Sequence, residues 1–560
     1  MTLIGSLNAV IGPPPQRPYQ SCEPMPHLHD SSVSVDRAAE RQLLVNDFGY
    51  QLLRNNLVKL SVRGDPDLLQ RAEEVARYAW AAHPGRFADG VVENILLEAG
   101  RVLQTGPLSA PLPGSVAGET RTLHVASELY LTGGHSRVLA KWVQRDSGSS
   151  HDIVVTRQSG PMPEYLTAIA DDRGAKITLL NPSDSIRRRA QILRSISSVY
   201  DRVILHHHPD DAVPVLAYAV PTGCPVAMFN HAHFSYSLGS GVADVIINTM
   251  PYFRELTERY RFPQACALLE GPLGLDRLHW HDVNKNQTKE RLGLPRDGLV
   301  AMTIGAEAYF TPSGGINFFE TLGKLLETRE DLHVLVIGVA ADSVLVPSGI
   351  RNERRVTLVG PVADPRPYYE ASDICLESFP MPSLGALTEA VAYGEAFPVP
   401  AFAEVENPLR VNQQRVSSIA VRQRTEADYI AYIIDLLDNQ TTTREKAAAL
   451  RRMLIRDDEC FGDQFNALYE LIARAGHKPR QIPVTDCAVT SENIVLASRT
   501  NPAALRDVIA KLPATDSIGA HIRAVAFGYE PIGEAVSYLA RDLARPLARR
   551  LGIRKKPSKQ

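Results

Sequence analysis

The chain has 560 residues, more than one hydrophobic core usually spans, so two or three domains are expected. With 44% hydrophobic and 22% charged residues and a net charge of -3, the composition is that of a globular protein without the basic surface of a nucleic-acid-binding protein. The chain lacks a signal-peptide pattern and an uncharged run near the ~20 residues that span a membrane, and its six cysteines are scattered, which predicts a cytoplasmic location.

The first fifth of the chain predicts a leader and a helical subdomain. Residues 1–35 are rich in Pro and His and have no periodicity, which is typical of a flexible leader. Between Val35 and Leu103 apolar residues recur at helical spacing, and a Pro- and Gly-rich joint follows from Gly106. We therefore assign residues 36–118 to a helical subdomain.

Two modules follow in which short apolar strands alternate with amphipathic helices. In residues 119–270 the predicted strands are Thr122–Ser127, His151–Arg157, Ala175–Leu180, Arg202–Leu205, Pro225–Phe229 and Val245–Asn248. In residues 271–484 they are Val300–Ile304, Leu332–Ile337, Val356–Val359, Ile374–Glu377 and Phe397–Val399. This alternation predicts an α/β fold of two Rossmann-like domains facing a cleft, because ligands bind beyond the carboxyl ends of such strands. Residues 485–560 are predicted to be a helical C-terminal segment with a basic tail.

The first predicted strand leads into Gly133-Gly134-His135 and then into an amphipathic run. Two glycines let the backbone turn sharply and approach a ligand, and the N-terminus of the following helix attracts an anion. A phosphate or a reacting sugar could bind there. The alternative is a tight turn without a ligand.

The second module contains a Pro-Ser-Leu-Gly loop, with Ser383, Leu384 and Gly385, followed by a helix that carries Glu389. A carboxylate one turn into that helix can hold vicinal hydroxyls of a ribose, while the loop amides face a diphosphate. The alternative is that Glu389 only stabilises the start of the helix.

Histidines follow two strands of the first module: His206, His207 and His208 after one, and His231 and His233 after the next. Consecutive side chains of an extended chain point to opposite sides, and no cysteine or carboxylate cluster completes a tetrahedral set, so no metal site is predicted. Histidine can donate or accept a proton near neutral pH, which favours recognition of an acceptor or a sugar. Satisfied loop histidines are the alternative.

The order and spacing of three motifs resemble glycosyltransferases of the GT-B fold, especially family 4, over residues 120–475. These motifs are the Gly-Gly-His turn, Val-Gly-Pro-Val at 359–362 before Tyr-Tyr-Glu-Ala-Ser-Asp, and Ser-Leu-Gly-Ala-Leu-Thr-Glu-Ala-Val-Ala-Tyr-Gly at 383–394. The resemblance implies a UDP- or GDP-sugar donor whose phosphates lie under Gly133 and Gly134 and whose base meets Gly360 and Val362.

The resemblance also implies roles for individual side chains. Glu389 would bind the ribose, Ser383, Leu384 and Gly385 would face the diphosphate, and His231 would lie beside the donor sugar. His135 would lie at the edge of the reacting centre, which makes His135 and His231 the catalytic candidates. No metal or further cofactor is required, because helix dipoles and backbone amides can replace a cation at the diphosphate.

The sequence departs from the family at two places. Family 4 members carry a second glutamate eight positions before the one at Glu389, and this chain has Met381 there. The family also places Arg or Lys after the strand that ends at Gly305, whereas residues 306–312 here contain none. Helix N-termini at Gly314-Gly315 and Gly385, or Arg410, could stabilise the leaving group instead. A similarity to the O-GlcNAc transferase group (family 41) leaves both retention and inversion open.

The sequence thus predicts an enzyme that transfers a sugar from a nucleotide-sugar to a glycan, lipid-linked or protein acceptor. Residues 532–551 have a basic amphipathic pattern that could contact an anionic membrane surface or pack on the protein. The departures at Met381 and near Phe310 favour one rival, a non-catalytic nucleotide-sugar-binding or assembly protein of the same fold. A sugar-nucleotide epimerase of similar shape is the second rival.

Overall fold

The computed structural model describes residues 37–103, 120–131, 134–269, 284–312, 315–362, 364–394, 423–459 and 461–497. Several sequence predictions therefore lie outside the described residues. They are the leader at 1–35, the joint at Gly106, Gly133, the strand Phe397–Val399, Arg410 and the basic segment 532–551.

The helices of the first half are α1 (Arg37–Arg63), α2 (Leu68–Ala82), α3 (Gly90–Arg101), α4 (Gly134–Arg145), α5 (Glu164–Arg173), α6 (Ile186–Ser197), α7 (Ala212–Ala217) and α8 (Pro251–Tyr260). Those of the second half are α9 (Lys285–Arg291), α10 (Phe318–Thr328), α11 (Ser348–Arg351), α12 (Arg366–Ala371), α13 (Leu384–Ala392), α14 (Glu426–Asp438), α15 (Gln440–Glu459), α16 (Phe461–Ala475) and α17 (Ser491–Ala497). A short 3-10 helix spans Glu307–Phe310. None of these helices is long and apolar enough to cross a membrane.

The strands form two parallel sheets. The first contains β1 (Thr120–Ala126), β2 (Ser149–Val155), β3 (Ile177–Leu179), β4 (Arg202–His206), β5 (Val226–Phe229), β6 (Val245–Asn248) and β7 (Ala265–Leu268), in the order β3-β2-β1-β4-β5-β6-β7. The second contains β8 (Leu299–Ile304), β9 (Leu332–Ile337), β10 (Val356–Gly360) and β11 (Ile374–Cys375), in the order β10-β9-β8-β11. Every pairing within them is parallel.

The prediction of an α/β fold with two parallel sheets is confirmed, since the predicted strands within the described residues all form. The sequence prediction missed β7, whose short Ala-Cys-Ala-Leu run lies at the sheet edge. It also extended the last described strand of the second sheet to Glu377, whereas β11 ends at Cys375. The domain boundaries remain predictions.

Hydrophobic clusters cover both faces of the first sheet. Leu123 and Val125 of β1 pack with the N-terminal helices, including Tyr50 of α1, in one continuous core. The opposite face packs on α4, and α16 returns from the second half of the chain to place Phe465 against Trp142. The sheet therefore holds side chains in place on both sides, and its strand ends have fixed positions.

Gly338 allows a close backbone contact at the carboxyl end of the second sheet. Its φ is +93°, its N–H donates to the carbonyl of Gly360 at 2.8 Å, and a Cβ at this position would lie 2.0 Å from the carbonyl oxygen of Gly305. An L side chain would be strained and would push this carbonyl away.

We expect Gly338→Ala to lower the free energy of unfolding by at least about 2 kcal/mol, measured by urea denaturation. Gly349→Ala is the matched control, because a Cβ there meets no described atom within 4 Å. Equal stability of the two variants would contradict this role of Gly338.

Candidate active site at the carboxyl ends of the two sheets

The strand order places a topological switch point in each sheet. Strand order reverses direction between β1 and β4 in the first sheet and between β8 and β11 in the second. Ligands of doubly wound sheets bind outside the carboxyl ends of strands at such points. Most of the predicted site residues follow these four strands.

Contact between α4 and α13 joins the two strand-end regions. The Arg137 guanidinium, in the first turn of α4, donates to Oε1 of Glu389 at 3.0 Å, and both side chains are partly buried. The predicted ribose-binding carboxylate of the second half therefore lies next to the Gly-Gly-His turn of the first. Sequence reasoning missed Arg137, although an arginine just after two glycines at a helix start is the available signal.

His135 is held by the loop after β4. Its Nε2 hydrogen-bonds to the carbonyl oxygen of His206, and a carbonyl only accepts, so Nε2 carries the proton and Nδ1 the lone pair. Nδ1 is buried and has no hydrogen-bond partner among the described residues. Burial lowers the pKa of His135 to about 4, with a further decrease from nearby His208, so the ring is neutral at pH 7.

His231 lies beside His135, with 4.3 Å between their ring centroids. Its Nε2 hydrogen-bonds to Nδ1 of His206 at 3.1 Å. Burial lowers the pKa of His231 well below its usual range, and His135 and His206 lower it further. The structure thus brings together the two histidines that the sequence singled out as catalytic candidates.

Further histidines extend this contact into the sheet. His206 Nε2 lies 3.1 Å from His124 Nδ1, and His124 Nε2 lies 3.0 Å from His151 Nδ1. His124 and His151 were not among the site residues predicted from the sequence. The available signal was a polar ring within the apolar strands Thr-Leu-His-Val-Ala and Ser-Ser-His-Asp-Ile-Val-Val, where an unpaired polar group is costly.

The other predicted histidines have packing partners within the protein. His207 donates from Nε2 to the carbonyl of Leu238 at 2.9 Å and is buried. His233 stacks on Phe253 with 4.0 Å between ring centroids. His208 stacks on the partly exposed Tyr130, which leaves this pair near the carboxyl end of β4.

A network of carboxylates holds the loop after β4. Asp211 accepts hydrogen bonds from Ser127 at 2.6 Å and Thr156 at 2.5 Å, which follow β1 and β2. Asp210 accepts from Arg157 at 2.6 Å. These bonds tie three neighbouring strand ends together and fix the loop that carries the His206 carbonyl.

In the second half, Gly360 has a φ of +74° and closes β10, and Val362 packs partly buried beside it. Ser383 precedes α13, while Leu384 and Gly385 form its first residues, and Gly385 is exposed. A Cβ at Gly134 or at Gly385 would meet no described atom within 4 Å. The described packing therefore leaves open space at the starts of both α4 and α13.

The departures near Met381 and Phe310 have local structural explanations. Phe310 is fully buried against Phe318 and Phe319. The N–H of Met381 donates to the carbonyl of Tyr309 at 3.2 Å, which fastens the Pro-Ser loop to the 3-10 helix. Helix α10 begins at Phe318 with Asn317 as its cap, so Gly315 lies outside the helix start that the sequence assigned to it.

No group of three or more histidine, cysteine or carboxylate side chains among the described residues is arranged to hold a metal ion. His231, His206, His124 and His151 form a line in which each ring hydrogen-bonds to the next through its ring nitrogens. The nitrogen lone pairs in these bonds accept hydrogen bonds from neighbouring rings instead of binding a metal. This arrangement differs from a tetrahedral ligand set.

Comparisons with known proteins find no matching family model and no matching curated protein. Among solved structures the chain is similar to Anabaena Alr3699/HepE in complex with UDP and glucose, at 11% identity and a TM-score of 0.47 over 63% of this chain and 100% of that one. It is also similar to a mutant of Thermobaculum terrenum O-GlcNAc transferase, at 14% identity and a TM-score of 0.45 over 77% of this chain and 82% of that one.

A third similar structure is WaaG, a glycosyltransferase involved in lipopolysaccharide biosynthesis, at 12% identity and a TM-score of 0.40 over 62% of this chain and 99% of that one. The two parallel sheets described above are consistent with the predicted GT-B architecture.

Proposed function

We propose that this protein is a glycosyltransferase that moves a sugar from a UDP- or GDP-sugar to a glycan, lipid-linked or protein acceptor. The observation that carries the proposal is the contact between Arg137 and Glu389, which brings the ends of two parallel sheets together beside His135 and His231. Donor groups in one half and neutral histidines in the other form the two sides of a transfer site.

The second half would bind the donor. Glu389 would accept hydrogen bonds from the ribose hydroxyls, and the loop at Ser383, Leu384 and Gly385 would face the diphosphate. Gly134 supports the phosphate assignment, because nothing in the described protein fills the space of a side chain there. Gly133 would contribute to the same turn, and Gly360 and Val362 would meet the base.

Arg137 supplies a positive charge in place of the cation that the sequence lacks near Phe310. A guanidinium in the first turn of α4 places positive charge beside Glu389, from the half of the chain opposite to the family's usual position. We propose that Arg137 stabilises the charge that develops on the departing diphosphate. No metal or further cofactor is then needed for this step.

The first half would hold the acceptor. His231 takes the proton of the attacking hydroxyl, and His135 lies at the edge of the reacting centre. Cys224, Cys266 and Cys487 form no disulfide within the described residues, which is in keeping with a cytoplasmic location. Contact of the basic C-terminal segment with a membrane remains part of the proposal.

A thermal-shift panel of UDP, GDP and their sugar conjugates, with nucleotide release followed in the same wells, tests this function. A ligand that binds the folded state selectively raises the melting temperature. We expect one conjugate to do so and to release nucleotide slowly without acceptor. Binding without release in the presence of acceptors would favour the non-catalytic rival, and conversion of the free donor alone would favour an epimerase.

We expect Glu389→Ala to weaken donor binding at least about 10-fold, because a lost charged hydrogen bond costs about 1.5–3 kcal/mol. Calorimetric titration with the selected donor measures this change. Glu327→Ala is the matched control, since Glu327 is exposed on α10. Unchanged affinity in Glu389→Ala would remove this residue from the donor site.

A further inference from the structure

Four imidazoles form a continuous hydrogen-bonded line through the first sheet. The line runs from His231 to His206, His124 and His151, with nitrogen-to-nitrogen distances of 3.1, 3.1 and 3.0 Å. At its inner end His151 Nε2 lies 3.1 Å from the carbonyl oxygen of Asp146 and 3.3 Å from the carboxylate Oδ2 of the same residue. His231 at the outer end is the only partly exposed member of these four rings.

Strand register explains why the three inner rings, those of His151, His124 and His206, meet. His151 in β2 is level with Thr122 in β1, and His124 lies two residues further on. His124 is level with Ile204 in β4, and His206 lies two residues further on. Because residues i and i+2 share one face of a strand, each step crosses one strand and advances one side chain towards the carboxyl end.

The inner end fixes the proton positions along the whole line. The carbonyl oxygen and the ionised carboxylate of Asp146 can only accept hydrogen bonds. His151 therefore carries its proton on Nε2 and its lone pair on Nδ1. His124 Nε2 must then donate to His151, His206 Nε2 to His124, and His231 Nε2 to His206. His231 is left with its lone pair on Nδ1, the nitrogen that takes no part in the line.

Apolar rings surround the line. Trp142 lies edge-on to both His124 and His206, at 5.8 Å between ring centroids, and is fully buried. Phe229 stacks on His206 at 5.8 Å. Because these neighbours are apolar, the hydrogen bonds between the rings are the route for a proton between His231 and His151.

We propose that Asp146, His151, His124 and His206 form a proton relay that makes His231 Nδ1 the general base of the glycosyl transfer. The inference rests on the proposed function. Asp146 and the three inner histidines do not touch the substrate, so they are positioning residues that act through His231.

Every proton and electron pair of the glycosyl transfer is accounted for. As the acceptor oxygen bonds to the sugar carbon, the bond between that carbon and the diphosphate oxygen breaks and its electron pair leaves with the nucleotide. His231 Nδ1 takes the acceptor proton and passes its Nε2 proton to His206 Nδ1, and the same shift repeats at His124 and His151. The last proton stops on His151 Nδ1, which leaves His151 as a cation paired with the Asp146 carboxylate, and the protons return by the same steps to water after the products leave.

Asp146 is a suitable end for the relay because its carboxylate is buried and charged. Hydrogen bonds from His151 and Tyr469 hold its pKa at about 2 against the opposing effect of burial. A positive charge on the adjacent ring therefore gains a close ion pair, whereas a charge that stays on His231 has no such partner in the line. This ion pair favours transfer of the positive charge from His231 to His151.

Asp146→Asn tests the relay without changing the hydrogen bonds between the four rings in the resting protein. The backbone carbonyl still accepts from His151, but the charged end is gone, so we expect kcat to fall at least about 10-fold with donor affinity unchanged. His124→Phe breaks the line at its centre and is expected to do the same. His477→Gln is the matched control, because His477 forms another buried pair, with Asp244 at 2.9 Å, outside the line.

We expect the control to lower the melting temperature and to keep the kcat of the wild type. Unchanged kcat in Asp146→Asn, beside a wild type that turns over, would overturn the relay and leave the proposed function standing. If the wild type releases no nucleotide with any donor and acceptor, the proposed function fails and the relay fails with it.

Nitrogen NMR of the histidine-labelled protein gives a readout independent of turnover. We expect His124, His151, His206 and His231 all to carry their proton on Nε2, in the wild type and in Asp146→Asn. A mixture of tautomers in the wild type would overturn the fixed direction of the line.

Discussion

His231→Gln is expected to lower kcat by a factor of about 10²–10⁴ at saturating donor, because it removes the base that takes the acceptor proton. Glutamine can still donate to His206 from its amide, so the fold and the donor affinity should be kept. Single-turnover release of nucleotide in the presence of acceptor measures the change.

His333→Gln is the control for this replacement. His333 lies in β9 of the second sheet, away from the line of histidines, and is partly exposed. Its replacement should leave kcat within a factor of two of the wild type. A His231→Gln variant as active as this control would show that His231 is not the base.

Stability is expected to fall steeply below pH 6.5. Burial lowers the pKa of His83 and His135 to about 4 and that of His233 to about 3. Five more histidines of the first half of the chain have lowered pKa values because they are buried: His124, His206, His207, His208 and His231. Each binds a proton more readily in the unfolded chain, so the stability present above pH 6.5 is lost as the pH falls towards the folded pKa.

Two buried glutamates act in the opposite direction. Burial raises the pKa of Glu73 and Glu93 to about 7, so these two groups favour the folded state as the pH falls from 7 towards their unfolded values. The eight histidines outnumber them. We expect a net loss of at least about 5 kcal/mol in the free energy of unfolding between pH 6.5 and 5, at up to about 1.4 kcal/mol per pH unit for each histidine.

Urea denaturation at several pH values measures this slope. His83→Gln removes one of the buried histidines and should reduce the slope by about one proton. Stability that stays constant or rises on acidification would contradict the assignment of these rings as neutral.

The strand pattern was enough to predict the two parallel sheets, because apolar strands such as Val-Ile-Leu at 203–205 alternate clearly with amphipathic helices. Strand β7 has only four residues and partly exposed side chains at the sheet edge, so its periodicity is too weak to detect. The N-terminal helices were predicted, but their shared core with β1 depends on contacts between distant residues.

The candidate site was predicted in part. His135 and His231 stood out because histidines and glycines follow strand ends, where ligands of this fold bind. His124 and His151 lie inside strands, and their connection depends on the register between β1, β2 and β4, which no single strand reveals. Arg137 could not be predicted as a site residue from the sequence, because its place in the site depends on its contact with Glu389 in the other half of the chain.

Proton NMR of the wild type with a nucleotide-sugar donor and a set of acceptors distinguishes sugar transfer from binding alone and from epimerisation. We expect release of the nucleotide diphosphate and a new anomeric signal from the transferred sugar, with the ring configuration at its other carbons unchanged. An unaltered donor, or a donor altered at a ring carbon without release of nucleotide, would contradict a glycosyltransferase.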